Sequence, residues 1–262
     1  MKSEKNPLLG ENNEKLPTAV ILAGGLGTRL RKAYPAGPKS MAPVGGRPFL
    51  DYVLHWLRSE GVEEVVLCVG YKRTSIQRFV GKGSKWDLRV RYSIERKLLG
   101  TAGALKKAEA LIPGKRLLVV NGDTLVGVSL KQLIDFHRRR DAWATLAVVK
   151  VADDSRYGSL RMDRRGRITA FVEKSNIQIL KDGKKRARPV SAGVYVLEKK
   201  VLSKIQPRRA ISLEKEIFPR LPAGGRTYGY VSDTYFLDIG IPDDLRRAQS
   251  EFRERLWVGH SG

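Results

Sequence analysis

AVILAGGLGTRLRKAYPAGPK, residues 19–39, decides how the rest of the chain is read. Its apolar opening, Ala19-Val20-Ile21-Leu22, has the character of a buried strand, and it breaks at once into Ala23-Gly24-Gly25-Leu26-Gly27-Thr28-Arg29. A strand that runs into glycines and then a cation brings backbone close to phosphate, because no Cβ atoms intervene and turn amides point at the anion. Taken alone, the glycines also suit an ordinary strand-to-helix turn. Neither GxxxxGK[ST] nor a complete GxGxxG is present, which excludes a Walker loop and the standard dinucleotide fingerprint.

Working outward, 49–61 reads as a helix with Leu50, Val53, Leu54 and Leu57 on one face, Pro48 at its start and Gly61 just past its end. It feeds a near-continuous apolar strand at 63–70, which completes a βαβ unit with the opening strand. A short helix at 74–80 precedes a strand in which Leu88, Val90, Tyr92 and Ile94 alternate with polar neighbours as a half-buried set. A loop from Glu95 through Gly100-Thr101 opens a helix to about 111, and the strand 117–120 stops at Asn121-Gly122-Asp123. This alternation predicts an α/β, Rossmann-like, mostly parallel mixed sheet flanked by helices.

From about Ala144 strand-like pieces at 144–151, 158–162, 168–173 and 192–197 follow one another with less helix between them. This half is expected to extend the sheet and lay a lid over its carboxyl edge. A final helix is expected at 243–256. The 262 residues therefore divide into one domain, 17–257, with a first half to about 143 and a second from about 144. Residues 1–16 read as a mobile tail and 258–262 as another. The basic run KDGKKRAR at 181–188 reads as a solvated loop, with a phosphate-clasping lid as the alternative.

A formal charge of +23 makes nucleic acid the rival partner. Lys and Arg are scattered through every segment, however, and no groove-reading motif is present. A solvated basic surface that favours small polyanionic substrates is the simpler reading, with neither nucleic acid nor membrane as partner. Cys68, the single cysteine, lies in an apolar run and reads as a buried structural thiol. Neither a signal peptide nor an apolar run of about eighteen residues is seen, and a cytoplasmic location is expected.

Asp123 ends an apolar strand, and so does Asp238 after Tyr235-Phe236-Leu237. In an open parallel sheet such strand ends meet the ligand. Each aspartate alone also suits a turn or a helix cap. Together, beside a phosphate cradle, they suit Mg²⁺, which takes one or two carboxylates plus phosphate oxygens and water.

The phrase LAGGLGTRL, followed by Pro38-Lys39 ten residues after Arg29 and then by Pro43-Val44, resembles the signature of the sugar-1-phosphate nucleotidyltransferases. The likeness runs from about Thr18 to Arg253. It implies the nucleotide-diphospho-sugar transferase (GT-A-like) fold, a single domain whose second half is a sugar-binding lid. It also decides between the two readings of Asp123 and Asp238, since members carry this Gly-Asp pair and the matching DIG as metal ligands. The resemblance further implies nucleotide contacts from Leu22, Ala23, Gly24, Gly25, Gly27, Thr28, Arg29, Lys39, Glu95, Gly100, Thr101 and Gly122. For the sugar phosphate it implies Gly158, Glu173, Lys174, Ala192, Gly193 and Glu214, with Lys174 on the phosphate and Glu173 on sugar hydroxyls; the role of Glu214 is the less defined. The catalytic set it implies is Arg29, Lys39, Asp123, Lys174 and Asp238. Ser40, Ser175 and Ser191 depart from the family pattern, and Ser191 cannot make the two-sided amide contacts of the usual Asn.

Within the family, Arg156-Tyr157-Gly158, the stretch Ile211-Ser212-Leu213-Glu214-Lys215 and Ile241 after Asp238-Ile239-Gly240 resemble D-glycero-α-D-manno-heptose 1-phosphate guanylyltransferases. The resemblance implies GTP and a sugar 1-phosphate as substrates, and it allows a homo-oligomer. Mannose-1-phosphate guanylyltransferases and the glucose-1-phosphate uridylyl and thymidylyl enzymes share most of these motifs. A catalytically silent, basic, nucleic-acid-binding or regulatory relative is the alternative of a different class.

Overall fold

The structure, a computed structural model, describes residues 15–31, 33–151, 158–172, 187–221 and 224–254. At its centre β1 (Ala19–Leu22) runs parallel between β4 (Glu64–Val69) and β6 (Arg116–Asn121). Ala19, Val20 and Ile21 are fully buried because helices cover both faces of the sheet. The two-residue period divides them. Ala19 and Ile21 enter the core under α1 (Phe49–Ser59), α2 (Arg73–Val80) and α4 (Leu130–Arg139), whereas Val20 enters the core under α3 (Gly100–Ala108).

Helix α1 shows how local sequence fixes these layers. Leu50, Val53, Leu54 and Leu57 are all fully buried, each worth roughly 1.5–3 kcal/mol of transfer free energy. Pro48 precedes the first turn, and Gly61, at φ +90°, ends the helix with its N–H on Arg58 O at 3.0 Å.

β5 (Arg89–Ile94) closes the parallel half beyond β4. On the other side β11 (Arg188–Glu198) runs antiparallel to β6 and carries the second half of the chain. It pairs with β8 (Ala144–Val151) and β9 (Ser159–Met162); β10 (Ile168–Val172) pairs with β9, and β12 (Thr227–Val231) with β8. Two small ribbons lie apart from this sheet. One joins β2 (Pro43–Val44) to β3 (Arg47–Pro48), the other β7 (Thr124–Val126) to β13 (Phe236–Asp238). α5 (Pro242–Glu254) closes the described chain. Among the described residues no helix is long and apolar enough to cross a membrane.

The fold departs from the sequence reading in four places. Lys15 and Leu16 are held, not free, since Lys15 pairs with Glu63 at 2.7 Å and Leu16 packs on the core. Alternation fails at the end of β5, where Ser93 and Glu95 are buried and Ile94 is 36% exposed; Glu95 turns inward toward the glycine loop. β11 extends well before 192, past Pro189, because a bulge between Ser191 and Tyr195 lets it change register on β8. The β7–β13 ribbon has no counterpart in the sequence reading, whereas α4 is the helix expected around His137. The basic run at 181–188 lies outside the described residues except at its last two positions, and so do residues 1–14 and 255–262.

His137, on α4, is 1% exposed. Its Nδ1 meets Thr145 Oγ1 at 2.9 Å and its Nε2 meets Glu198 Oε1 at 3.4 Å. Burial outweighs the carboxylate and pushes its pKa down to about 4. The unfolded chain therefore binds a proton that the folded chain refuses between about pH 6.5 and pH 4. Stability is full above that window and falls as pH drops through it, by about 3 kcal/mol from this group. Denaturant unfolding at pH 7 and pH 4.5 is expected to show this loss, and His137→Gln to show a shallower pH dependence.

Candidate active site

Where β1, β4 and β6 end, a cavity of about 390 Å³ opens at the carboxyl edge of the sheet. Leu22, Ala23, Gly24, Gly25, Gly27, Thr28, Arg29, Lys39, Glu95, Gly100, Thr101, Gly122 and Asp123 all line it. The backbone is pinned at its rim: Ala23 N–H donates to Cys68 O at 2.9 Å, and Gly122 N–H donates to Leu22 O at 3.0 Å. Two glycines are required here by space. A Cβ on Gly24 would stand 2.6 Å from Glu95 Oε1, and Gly27, at φ +59°, faces Lys39 Cβ at 3.2 Å from where its own would lie.

Asp123 and Asp238 meet through the ribbon, not through the main sheet. Asp238 pairs in register with Thr124, the residue after Asp123, and Ile239 N–H donates to Asp123 O at 3.0 Å. The Lys39 ammonium contacts the Asp123 carboxylate. Burial opposes the charge on Lys39, but Asp123 and Asp238 together hold its pKa above the usual lysine range. Asp238 carries the converse strain. Burial first, and Asp123 second, push it up to about 6, while Lys39, the Gly240 N–H and Arg29 pull the other way.

Among the described residues Asp238 Oδ1 is buried without a hydrogen-bond partner. A buried carboxylate oxygen left unpaired beside a second carboxylate fits a divalent cation. Among the described residues no three His, Cys, Asp or Glu side chains gather to hold a metal alone. The donor set therefore suits an ion that takes its remaining ligands from phosphate and water.

Glu95, 6% exposed, turns one oxygen to the N–H of Leu99 at 3.0 Å and the other toward Gly24. Burial raises its pKa. Beside it Leu98, Ala104 and Cys68 give the cavity an apolar patch, and Cys68 is the inert buried thiol expected, its pKa pushed up by burial.

Four residues assigned to the sugar phosphate fall outside the lining. Gly158 is exposed at the start of β9, Ala192 is buried in the β11 bulge, and Gly193, at φ +72°, packs against Asn121 and Thr124. Glu214 spends its oxygens on hydroxyl groups behind the wall. Glu173 and Lys174 lie outside the described residues. The lining also includes residues that sequence reasoning passed over, chiefly Ser40, Asn121 and Gly240. Asn121 carried a usable signal, as the polar residue at the very end of an apolar strand.

The chain matches the nucleotidyl transferase family over residues 18–255. It is 36% identical over 238 residues to a D-glycero-alpha-D-manno-heptose 1-phosphate guanylyltransferase of Aneurinibacillus thermoaerophilus, covering 91% of this chain and 99% of that one. It is 37% identical over 235 residues to a mannose-1-phosphate guanylyltransferase of Mycobacterium tuberculosis, covering 89% of this chain but only 64% of the relative. Among solved structures, HddC from Yersinia pseudotuberculosis complexed with GMP-PN superposes with a TM-score of 0.76 at 33% identity, over 90% of this chain and all of that one.

Proposed function

The chain belongs to the nucleotidyl transferase family, and on that premise we propose that it transfers GMP from GTP to a sugar 1-phosphate, most like D-glycero-α-D-manno-heptose 1-phosphate. The observation that carries the reaction is the meeting of Arg29, Lys39 and Asp123 in the wall of a glycine-lined cavity, with Asp238 just behind the wall against Lys39 and Asp123. Guanine is supported by both guanylyltransferase relatives and by the GMP-PN complex of the similar structure. Heptose is supported by the stretches at 156–158 and 211–215 and by Ile241, which resemble the heptose enzymes, and by the 36% identity to one of them. The mannose reading stays as the second, on its 37% identity. We assign the reaction to the cytoplasm.

A sugar-phosphate oxygen attacks the α-phosphorus; one P–O bond forms as the bond to the β-phosphate oxygen breaks, and pyrophosphate leaves with the electron pair. A phosphate monoester is already largely ionised at neutral pH, its second pKa being about 6, so no general base is required. Neither described histidine, His55 nor His137, lines the cavity, which agrees with that economy. The obstacle is repulsion between two polyanions. Arg29 and Lys39 offset it on the triphosphate, the loop Gly24 to Thr28 places the phosphates, and Lys174 holds the sugar phosphate. Asp123 and Asp238 would hold Mg²⁺, which when bound neutralises charge developing on the phosphates. Leu98 and Ala104 offer the base an apolar bed, and Glu95 an acceptor.

Initial rates with GTP, ATP, UTP and dTTP against heptose, mannose and glucose 1-phosphates test substrate choice. GTP with the heptose phosphate is expected to give the highest kcat/KM; preference for UTP or dTTP would overturn the guanylyl assignment. Lys174→Ala is expected to raise the KM for the sugar phosphate while calorimetric binding of the nucleotide alone stays within about twofold. Lost nucleotide affinity would show that Lys174 serves the other phosphate.

A further inference from the structure

Glu214 stands outside the cavity, yet the chain around it is fastened to the cavity wall from behind. Ile211 N–H donates to Leu99 O at 2.9 Å, and the N–H groups of Ala102 and Gly103 donate back to Ile211 O at 2.9 and 3.3 Å. Such an approach needs glycine. A Cβ on Gly100, at φ +66°, would stand 2.5 Å from Ile211 O, and one on Gly103 2.5 Å from Arg209 O. The segment 209–216 is thus a strap lying against 98–103, the residues that lead into and form the first turn of α3 and carry Leu98, Gly100 and Thr101 into the cavity.

Side chains bolt the strap in place. Glu214 Oε2 accepts from Thr101 Oγ1 at 2.8 Å and from Ser212 Oγ at 2.9 Å, and Oε1 accepts from the Tyr195 hydroxyl at 3.3 Å. Thr101 Oγ1 accepts in turn from Leu213 N–H at 2.8 Å. A threonine hydroxyl has one hydrogen, and here it is committed to Glu214, so Thr101 shows the cavity only an acceptor lone pair and a methyl group. Tyr195, 1% exposed, also meets Ser191 Oγ through its hydroxyl at 3.4 Å. One carboxylate therefore fixes a cavity side chain, Thr101, from outside the cavity.

We propose that Glu214 is a positioning residue for the nucleotide-facing wall, setting Thr101 directly, and is not a ligand of the sugar phosphate. This rests on the nucleotide reading of the cavity given above. The two claims separate in one experiment, because the wild-type protein is assayed first: failure to release pyrophosphate from any triphosphate defeats the reaction, not the positioning role.

With an active wild type, KM for GTP and for the sugar phosphate are measured separately in three variants. Glu214→Ala is expected to raise the GTP KM about tenfold, the worth of one or two hydrogen bonds, and to leave the sugar-phosphate KM within about twofold. Glu214→Gln keeps its carbonyl oxygen for Thr101 and Ser212 but turns a donor toward the Tyr195 hydroxyl, and is expected to stay closer to wild type than Glu214→Ala, within about threefold on both. Ser212→Ala, also outside the cavity, removes one donor; a rise of about threefold in the GTP KM is expected, and combining it with Glu214→Ala adds nothing further. A rise confined to the sugar-phosphate KM, or a Glu214→Gln as damaged as Glu214→Ala, overturns the proposal. Should Glu214→Ala not fold, Ser212→Ala decides alone, an unchanged GTP KM counting against it.

Discussion

Asparagine in place of Asp123 or of Asp238 lowers turnover by a factor on the order of hundreds or more, the size of a single preorganised electrostatic contribution. The substitution keeps shape and removes charge, so it isolates what the carboxylate does. At Asp238 it has a second, opposite consequence. Burial and Asp123 already hold that carboxyl up at about 6, which means its ionised form at neutral pH works against the fold. Asp238→Asn relieves that cost, and its thermal midpoint is expected to hold or rise while turnover collapses. Activity and stability moving apart is a result that simple misfolding cannot produce. Near-normal turnover in both variants would remove the two-carboxylate site.

Lys39→Ala is the other large effect, and here activity and stability fall together. Lys39 is the cation lodged against Asp123 and within reach of Asp238. Removing it strips a charge from the triphosphate and leaves two partly buried carboxylates facing each other. Breaking such a pair costs about 3–5 kcal/mol when it is fully buried, and less here, where the side chains are 18% and 21% exposed. Turnover is expected to drop by about a hundredfold or more. The melting point without divalent metal is expected to fall, and added Mg²⁺ to restore more of it than in wild type, since the ion then supplies the missing positive charge. Equal response to Mg²⁺ in variant and wild type would show that Lys39 and the metal do not share these carboxylates.

The glycine loop was legible in the sequence because an apolar run that breaks into Gly24-Gly25 leaves few backbone courses open. The same holds for α1, whose four leucine and valine positions specify a single face. Asp238 was legible only in part. A three-residue strand such as β13 has too little length for periodicity, so nothing in the sequence showed that it leaves the main sheet to pair with β7. That pairing is what brings Asp238 to Asp123.

Glu95 and Ser93 illustrate a different limit. Polar side chains in an alternating strand read as solvent-facing, yet here both are buried, the glycine loop makes room for Glu95, and Ile94 is turned out instead. Glu214 is placed with the sugar phosphate by the family resemblance alone, with its role the less defined. Its three hydroxyl partners come from three separate parts of the chain, and no local pattern connects them. Asn121 was passed over although it adjoins Gly122-Asp123, where the strand-end argument that selected Asp123 applies equally.

Release of pyrophosphate from GTP, measured with and without a sugar 1-phosphate, tests the proposed reaction most directly. Attack by the sugar phosphate predicts stoichiometric pyrophosphate and GDP-sugar that appear only when GTP, the sugar 1-phosphate and Mg²⁺ are all present. Pyrophosphate released equally without the sugar phosphate, or none released from any triphosphate with any sugar 1-phosphate, would contradict it.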